Sequence, residues 1–276
     1  MQFEKHFPIS LVKDEFRVWT QTYAPALQLP ANVLGICEYG VTEILNNAID
    51  HAKANNLVVR GSQDQQKTIL EIEDDGVGVF ARLKEFFDFD SETHALIELV
   101  KGKLTIAPEQ HSGEGLFFAS KAFDQFVIQA GELLVTFSDD RCDVQAAPAR
   151  SGTRIRMEIQ NHSTKTMEQI FNRYCDAENL LFYRTRFFLT LAALEGNLVS
   201  RSQARRVVTR FENFSEVELD FNGIDSIGQA FADELFRVWP LSHQETCLQA
   251  THAGDAVLKM IQHVKGRADL PQPGRH

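Results

Sequence analysis

Between Pro30 and the pair Asn55-Asn56 the chain carries a long amphipathic pattern, and this stretch narrows the folds open to it. Apolar Ile44, Leu45, Ala48 and Ile49 recur at helical spacing, so a helix is expected from about residue 31 to residue 54. Glu43 and Asn47 stand four residues apart on it, one above the other on the same face. A neutral carboxamide oxygen suits a hard cation such as Mg²⁺, and a carboxylate beside it can take a proton from a nucleophile. Alone, the pair also fits a solvated polar stripe.

Composition sets the frame for that helix. A chain of 276 residues suggests two domains of ordinary size or one large one, and 43% hydrophobic residues with 21 Phe can fill a core. The formal net charge of −10 argues against broad attraction to nucleic acid or an anionic membrane. No apolar run approaches the roughly 20 residues that span a bilayer. Met1–His6 lacks a basic segment leading into an apolar core, so no secretory signal is expected. Cys37, Cys142, Cys175 and Cys247 are widely separated, and the nine His have no ligand spacing. The expectation is a cytoplasmic protein with reduced thiols and no zinc site.

In chain order, a helix is expected over 8–28, broken by Pro25 and Pro30. Strands follow at 57–60 and 67–73. In the second, Leu70 and Ile72 share one face and Ile69 takes the other, so both faces are expected to be partly covered. That strand runs into Asp74-Asp75-Gly76-Val77-Gly78. A carboxylate at a strand end accepts a hydrogen bond from an exocyclic amine such as adenine's, and the glycines let a flat ligand approach the backbone. Residues 79–111 form a long connection with one helix capped by Ser91. His111-Ser112-Gly113-Glu114-Gly115-Leu116 precedes an apolar helix, an arrangement that aims free N–H groups at phosphate oxygens. A plain turn is the alternative for each glycine motif. Strands are expected at 125–130, 133–138 and 153–159. An alternating β/α series follows, with strands at 185–191, 217–221 and 246–250 and helices at 202–211, 227–239 and 256–264.

Glu43-x-x-x-Asn47 on a helix, Asp74-x-Gly76-x-Gly78 after a strand and Gly113-x-Gly115 before a helix, in that order, resemble the GHKL ATPase superfamily. The resemblance covers about residues 30–160 and implies the two-layer α/β (Bergerat) sandwich with ATP and Mg²⁺ as ligands. It implies Glu43 as general base, Asn47 as Mg²⁺ ligand and Asp74 as adenine-binding carboxylate. Gly76 and Gly78 would lie beside the base, Gly113, Gly115 and Leu116 at the phosphates, and Thr153 near adenine. Residues 79–112 would form the ATP lid, with Lys101 and Lys103 either reaching phosphate or standing as solvated lid charges. The chain before Glu43 is too short for the helical hairpin of a histidine kinase, and its C-terminal part does not look like a gyrase-type transducer. Ser112-Gly113-Glu114-Gly115-Leu116 looks most like the anti-sigma-factor serine kinase branch.

Val217–Gly228 is similar to STAS-like domains related to anti-sigma-factor antagonists. The expected organisation is an ATP-binding domain at 1–162, a bridge at 163–179, a STAS-like β/α domain at 180–267 and a loose tail at 268–276. The resemblance makes Ser226, beside Asp225, a candidate phosphoacceptor; a helix N-cap is the alternative. The implied function is ATP hydrolysis or phosphate transfer to Ser/Thr in partner-switching control of transcription. A regulatory protein is the expected partner, and a homodimer is compatible with this. The alternatives are an ATP-gated interaction switch, or a nucleic-acid regulator using Arg201, Arg205, Arg206 and Arg210.

Overall fold

The computed structural model describes all residues except 13, 107–112, 139–140, 179, 195 and 267–276, so the expected tail and the His111-Ser112 pair lie outside the described residues. The chain is α/β and divides into two compact units, Met1–Arg173 and Tyr174–His276.

The N-terminal unit is a five-stranded antiparallel sheet with helices on one face. Its strands are β1 (Gln2–Pro8), β2 (Asn56–Gln63), β3 (Lys67–Asp74), β4 (Gln125–Ser138) and β5 (Arg141–Gln160), in the order β1-β2-β3-β5-β4. Alternation sorts the strands' side chains. Val59, Leu70, Ile72, Ile155 and Met157 are buried on the helix side. On the other side Arg60 reaches Glu71 and Glu73, each at 2.7 Å, while Arg154 meets Glu71 and Arg150 meets Glu73. Ile69 is half-buried there. The second face is therefore partly covered by an ion-pair ladder among the strands' own side chains.

Helix α1 (Ala31–His51) lies across the helix side. Its buried residues, from Val33 through Ile36, Cys37, Gly40, Val41, Ile44 and Leu45 to Ala48, step by three and one. Each large apolar member contributes about 1.5–3 kcal/mol on burial, so the helix does not depend on its polar edge, where Glu43 and Asn47 sit. Gly40 admits the Phe123 ring against the helix backbone. The connection, expected to hold one helix, holds two, α2 (Val79–Phe87) and α3 (Glu92–Lys101), the second capped by Ser91 as expected. Helix α4 (Gly115–Ala122) packs beside α1. Helix α5 (Met167–Tyr174), in the segment expected to bridge domains, sets Phe171 4.8 Å from Phe118 and 5.6 Å from Tyr39. Among the described residues, the helix expected over 8–28 is instead a series of short turns, with only Glu15–Val18 α-helical and a π-turn at Trp19–Tyr23.

The C-terminal unit holds a parallel sheet of β6 (Arg184–Phe188), β7 (Glu216–Asp220) and β8 (Cys247–Thr251) in that order. The first strand stops short of its expected end, because Leu189–Ala193 turns helical. Helix α6 (Arg201–Val208) starts with a capping box between Ser200 and Gln203. Gln229–Asp233, Glu234–Val238 and Trp239–Ser242 follow one another as α, π and α turns, and helix α7 (Asp255–Lys265) closes the unit. Among the described residues no helix is long and apolar enough to cross a membrane. None of the four cysteines is in a disulfide, and burial pushes Cys37 and Cys142 up to about 12, so neither is a thiolate at neutral pH.

Candidate functional site

A cavity of about 300 Å³ opens in the N-terminal unit between α1, the end of β3, the start of α2 and the start of α4. Glu43 and Asn47 line it from α1, Asp74 from the end of β3, and Gly78 from the turn that follows. Gly113, Gly115 and Leu116 line it around the start of α4, and Thr153 from β5. Ile44, Ile72, Leu83 and Ile155 supply apolar walls.

Asp74 is 6% exposed. Burial raises its pKa above the usual 3.8, although hydrogen bonds from the backbone of Gly76 and Thr153 pull the other way. The Gly76 N–H donates to its Oδ1 at 2.9 Å. Asp75 has a different task. It accepts from the N–H groups of Asn55 and Asn56 and from the Asn56 side chain at 2.7–2.9 Å, fastening the chain beyond α1 to the end of β3. Thr153 Oγ1 accepts from the Val79 N–H at 3.0 Å and so begins α2.

The glycines divide by role. A β-carbon at Gly115 would collide with the Glu43 carboxylate, so that carboxylate lies directly on the first turn of α4. Gly78 has φ +90°, a conformation that opens α2 and that side chains resist. Gly76 does not line the cavity: the space its side chain would fill is taken by the carbonyl of Ala52, at the end of α1.

Asn47 is half-buried, and its carboxamide makes no hydrogen bond among the described residues. Arg82, on α2, also lines the cavity and was not singled out from the sequence. Its Nη1 is 3.3 Å from Glu85, and its buried Nε has no hydrogen-bond partner among the described residues. A cation four residues beyond Gly78, in an otherwise apolar turn, was the available signal.

Neither lysine of the expected lid is a freely solvated charge. Lys101 is fully buried and pairs with the equally buried Glu98 at 2.6 Å, and Lys103 is half-buried. In the C-terminal unit, Ser226 is exposed in the loop before Gly228, and Gly228 is the residue that caps the next helix. Ser226 is thus not the helix N-cap. Arg201 pairs with Asp233 and Arg205 with Glu234, each at 2.8 Å, so these two arginines are committed to acids of their own unit.

A family model described as a STAS-like domain of unknown function (DUF4325) matches residues 203–256. The match covers most of α6 and all of β7 and β8, and falls inside the segment 180–267 read as STAS-like. The C-terminal unit therefore carries a STAS-like α/β domain, a fold found in partner-switching proteins. No curated protein matches the chain.

Proposed function

We propose that the N-terminal unit is a GHKL-type Mg-ATP-binding domain that hydrolyses ATP or passes its terminal phosphoryl group to a Ser or Thr. The observation carrying this reading is that one cavity gathers Glu43, Asn47, Asp74, Gly115 and Thr153 from elements far apart in sequence. The donor set fits such a ligand. The buried Asp74 carboxyl suits an exocyclic amine, and the apolar walls suit a flat base. The N–H groups opening α4 suit phosphate. Among the described residues no cluster of three or more His, Cys, Asp or Glu forms a metal cage. Mg²⁺ carried by a nucleotide needs only one or two protein oxygens, and Asn47 offers one.

When bound, Mg-ATP supplies an activated phosphoryl group and the metal neutralises its charge. The chain's own residues do the rest. Asp74 orients the base, Asn47 holds the cation, and Glu43, set against the first turn of α4, takes the proton from the attacking hydroxyl or water. The STAS-like domain supports a place in partner-switching regulation; a regulatory protein is the partner proposed with it, and the cytoplasm the proposed location.

The test is incubation with Mg-ATP, following released phosphate and the intact mass of the protein in parallel. The expected result is turnover or phosphorylation that Glu43→Gln abolishes. Turnover unchanged in Glu43→Gln would remove Glu43 as base, and neither signal with ATP bound would make the unit a binding switch.

A further inference from the structure

Three ionisable side chains from three neighbouring strands meet near the carboxyl edge of the C-terminal parallel sheet. Arg186 comes from β6, Asp220 ends β7, and His252 directly follows β8. Asp220 is 1% exposed. Its Oδ2 accepts from Arg186 Nε at 3.1 Å and from Arg186 Nη2, and its Oδ1 lies 3.1 Å from His252 Nδ1. The Asn222 N–H also donates to Oδ1, at 2.8 Å. His252 differs from its partners in exposure: about half of its side chain, 52%, is open. Its backbone has φ +51°, a region that residues other than glycine seldom occupy and that recurs at functional sites.

Two groups face Nδ1, the Asp220 carboxylate at 3.1 Å and Arg186 Nη2 at 3.5 Å. A carboxylate can only accept and a guanidinium can only donate, so the shorter contact, to Asp220, favours the imidazole proton on Nδ1 and the lone pair on Nε2. The arrangement is a nucleophile with its orienting carboxylate, and the carboxylate is itself held by a buried guanidinium. Exposure suits an acceptor that is approached by a donor site carried elsewhere.

We propose that His252 is a phosphoryl acceptor. The proposal rests on the nucleotide reading of the N-terminal unit for its donor. Nε2 attacks the γ-phosphorus of ATP, the P–N bond forms, and the bond to the bridging oxygen breaks, with ADP leaving on that oxygen. The proton stays on Nδ1, and Asp220 faces the positive charge that the ring gains. Helix α7 begins three residues later with no side-chain cap, so its first N–H groups lie near in sequence to the new anion.

The test has two arms on the full chain. In the first, phosphoramidate, a small donor that needs no nucleotide site, is added, and modification is mapped by mass spectrometry over the nine His. His252 is expected to react about tenfold faster than the other histidines, and Asp220→Asn to remove most of that advantage. A rate no different from the others would overturn the proposal, and this comparison stands even if Asp220→Asn fails to fold. In the second arm, Mg-ATP is expected to add a phosphoryl group that is acid-labile and alkali-stable, absent from His252→Ala and, at limiting ATP, reduced in Asp74→Asn. An acid-stable group on Ser226 would overturn the proposal while leaving the nucleotide reading in place. Absence of ATP binding by calorimetry would sink the nucleotide reading and ATP as donor, and the first arm would still decide the reactivity of His252.

Discussion

Glu43 and Gly115, 72 positions apart in sequence, lie in contact: the carboxylate of one occupies the space a side chain on the other would need. The helix that carries the acidic edge and the helix that opens on a glycine turn are thereby locked in register at the cavity. Gly115→Ala must push Glu43 aside. Since the displaced atoms end a flexible side chain, the fold should lose no more than about 1–3 kcal/mol. Phosphate release should fall about tenfold or more, the scale of a misplaced catalytic group. A chemical denaturation curve and a phosphate-release assay on the same sample check both halves.

Asp74 sets binding against stability. Burial raises its pKa, so the folded state holds the proton more tightly than the unfolded chain does. The charged form therefore costs stability at neutral pH, and that cost disappears as pH falls through the raised folded value towards 3.8. Asp74→Asn, which keeps the acceptor for the Gly76 N–H, should match or exceed the wild-type melting temperature at pH 7. That margin should shrink on acidification. A variant that melts well below wild type at pH 7 would contradict the assignment of burial as the dominant influence.

The ladder on the opposite sheet face has the reverse sign. Burial alone would raise the Glu73 pKa, but hydrogen bonds from Arg60 and Arg150 together bring it below 4.5. Glu158 is likewise brought down by Lys67 and Arg156 against its burial. Their contribution is present above pH 4.5 and is lost as pH falls through their lowered folded values. Arg60→Ala, which strips partners from Glu4, Glu71 and Glu73 together, should cost about 1–3 kcal/mol at pH 7. Urea midpoints for wild type and variant should converge at pH 3.

Lys101 and Glu98 form a pair without solvent exposure on α3. Lys101→Met leaves a buried carboxylate and should cost about 3–5 kcal/mol. The double variant Glu98→Leu, Lys101→Met should recover most of that loss, because well-packed apolar side chains often replace a buried pair at little cost. Urea denaturation of the three proteins gives the comparison.

Regular periodicity made α1 legible, and the Ser91 cap and the β/α alternation of the C-terminal unit could be read locally. Strand β1 was missed because its alternation of Phe3, Lys5 and Phe7 with polar residues is short and lies on an edge strand with little burial. The connection after Gly78 was read as mainly irregular, yet Val79, Phe80 and Leu83 give α2 an apolar side that reaches the cavity or the core. Lys101 looked like a surface charge because its partner is on the same helix and its burial comes from packing between elements. The three motifs around the cavity were visible because each is local. Arg186, Asp220 and His252 share no local pattern, and only the parallel register of β6, β7 and β8 brings them together.

The central claim is that the cavity of the N-terminal unit binds Mg-ATP through Asp74. Calorimetric titration of Mg-ATP into wild type, Asp74→Asn and Glu43→Gln tests it most directly. The account predicts saturable binding to wild type, nearly equal affinity for Glu43→Gln, and a loss of about tenfold or more for Asp74→Asn, the scale of a hydrogen bond to a charged group. No binding to the folded wild type, or wild-type affinity in Asp74→Asn, would contradict it.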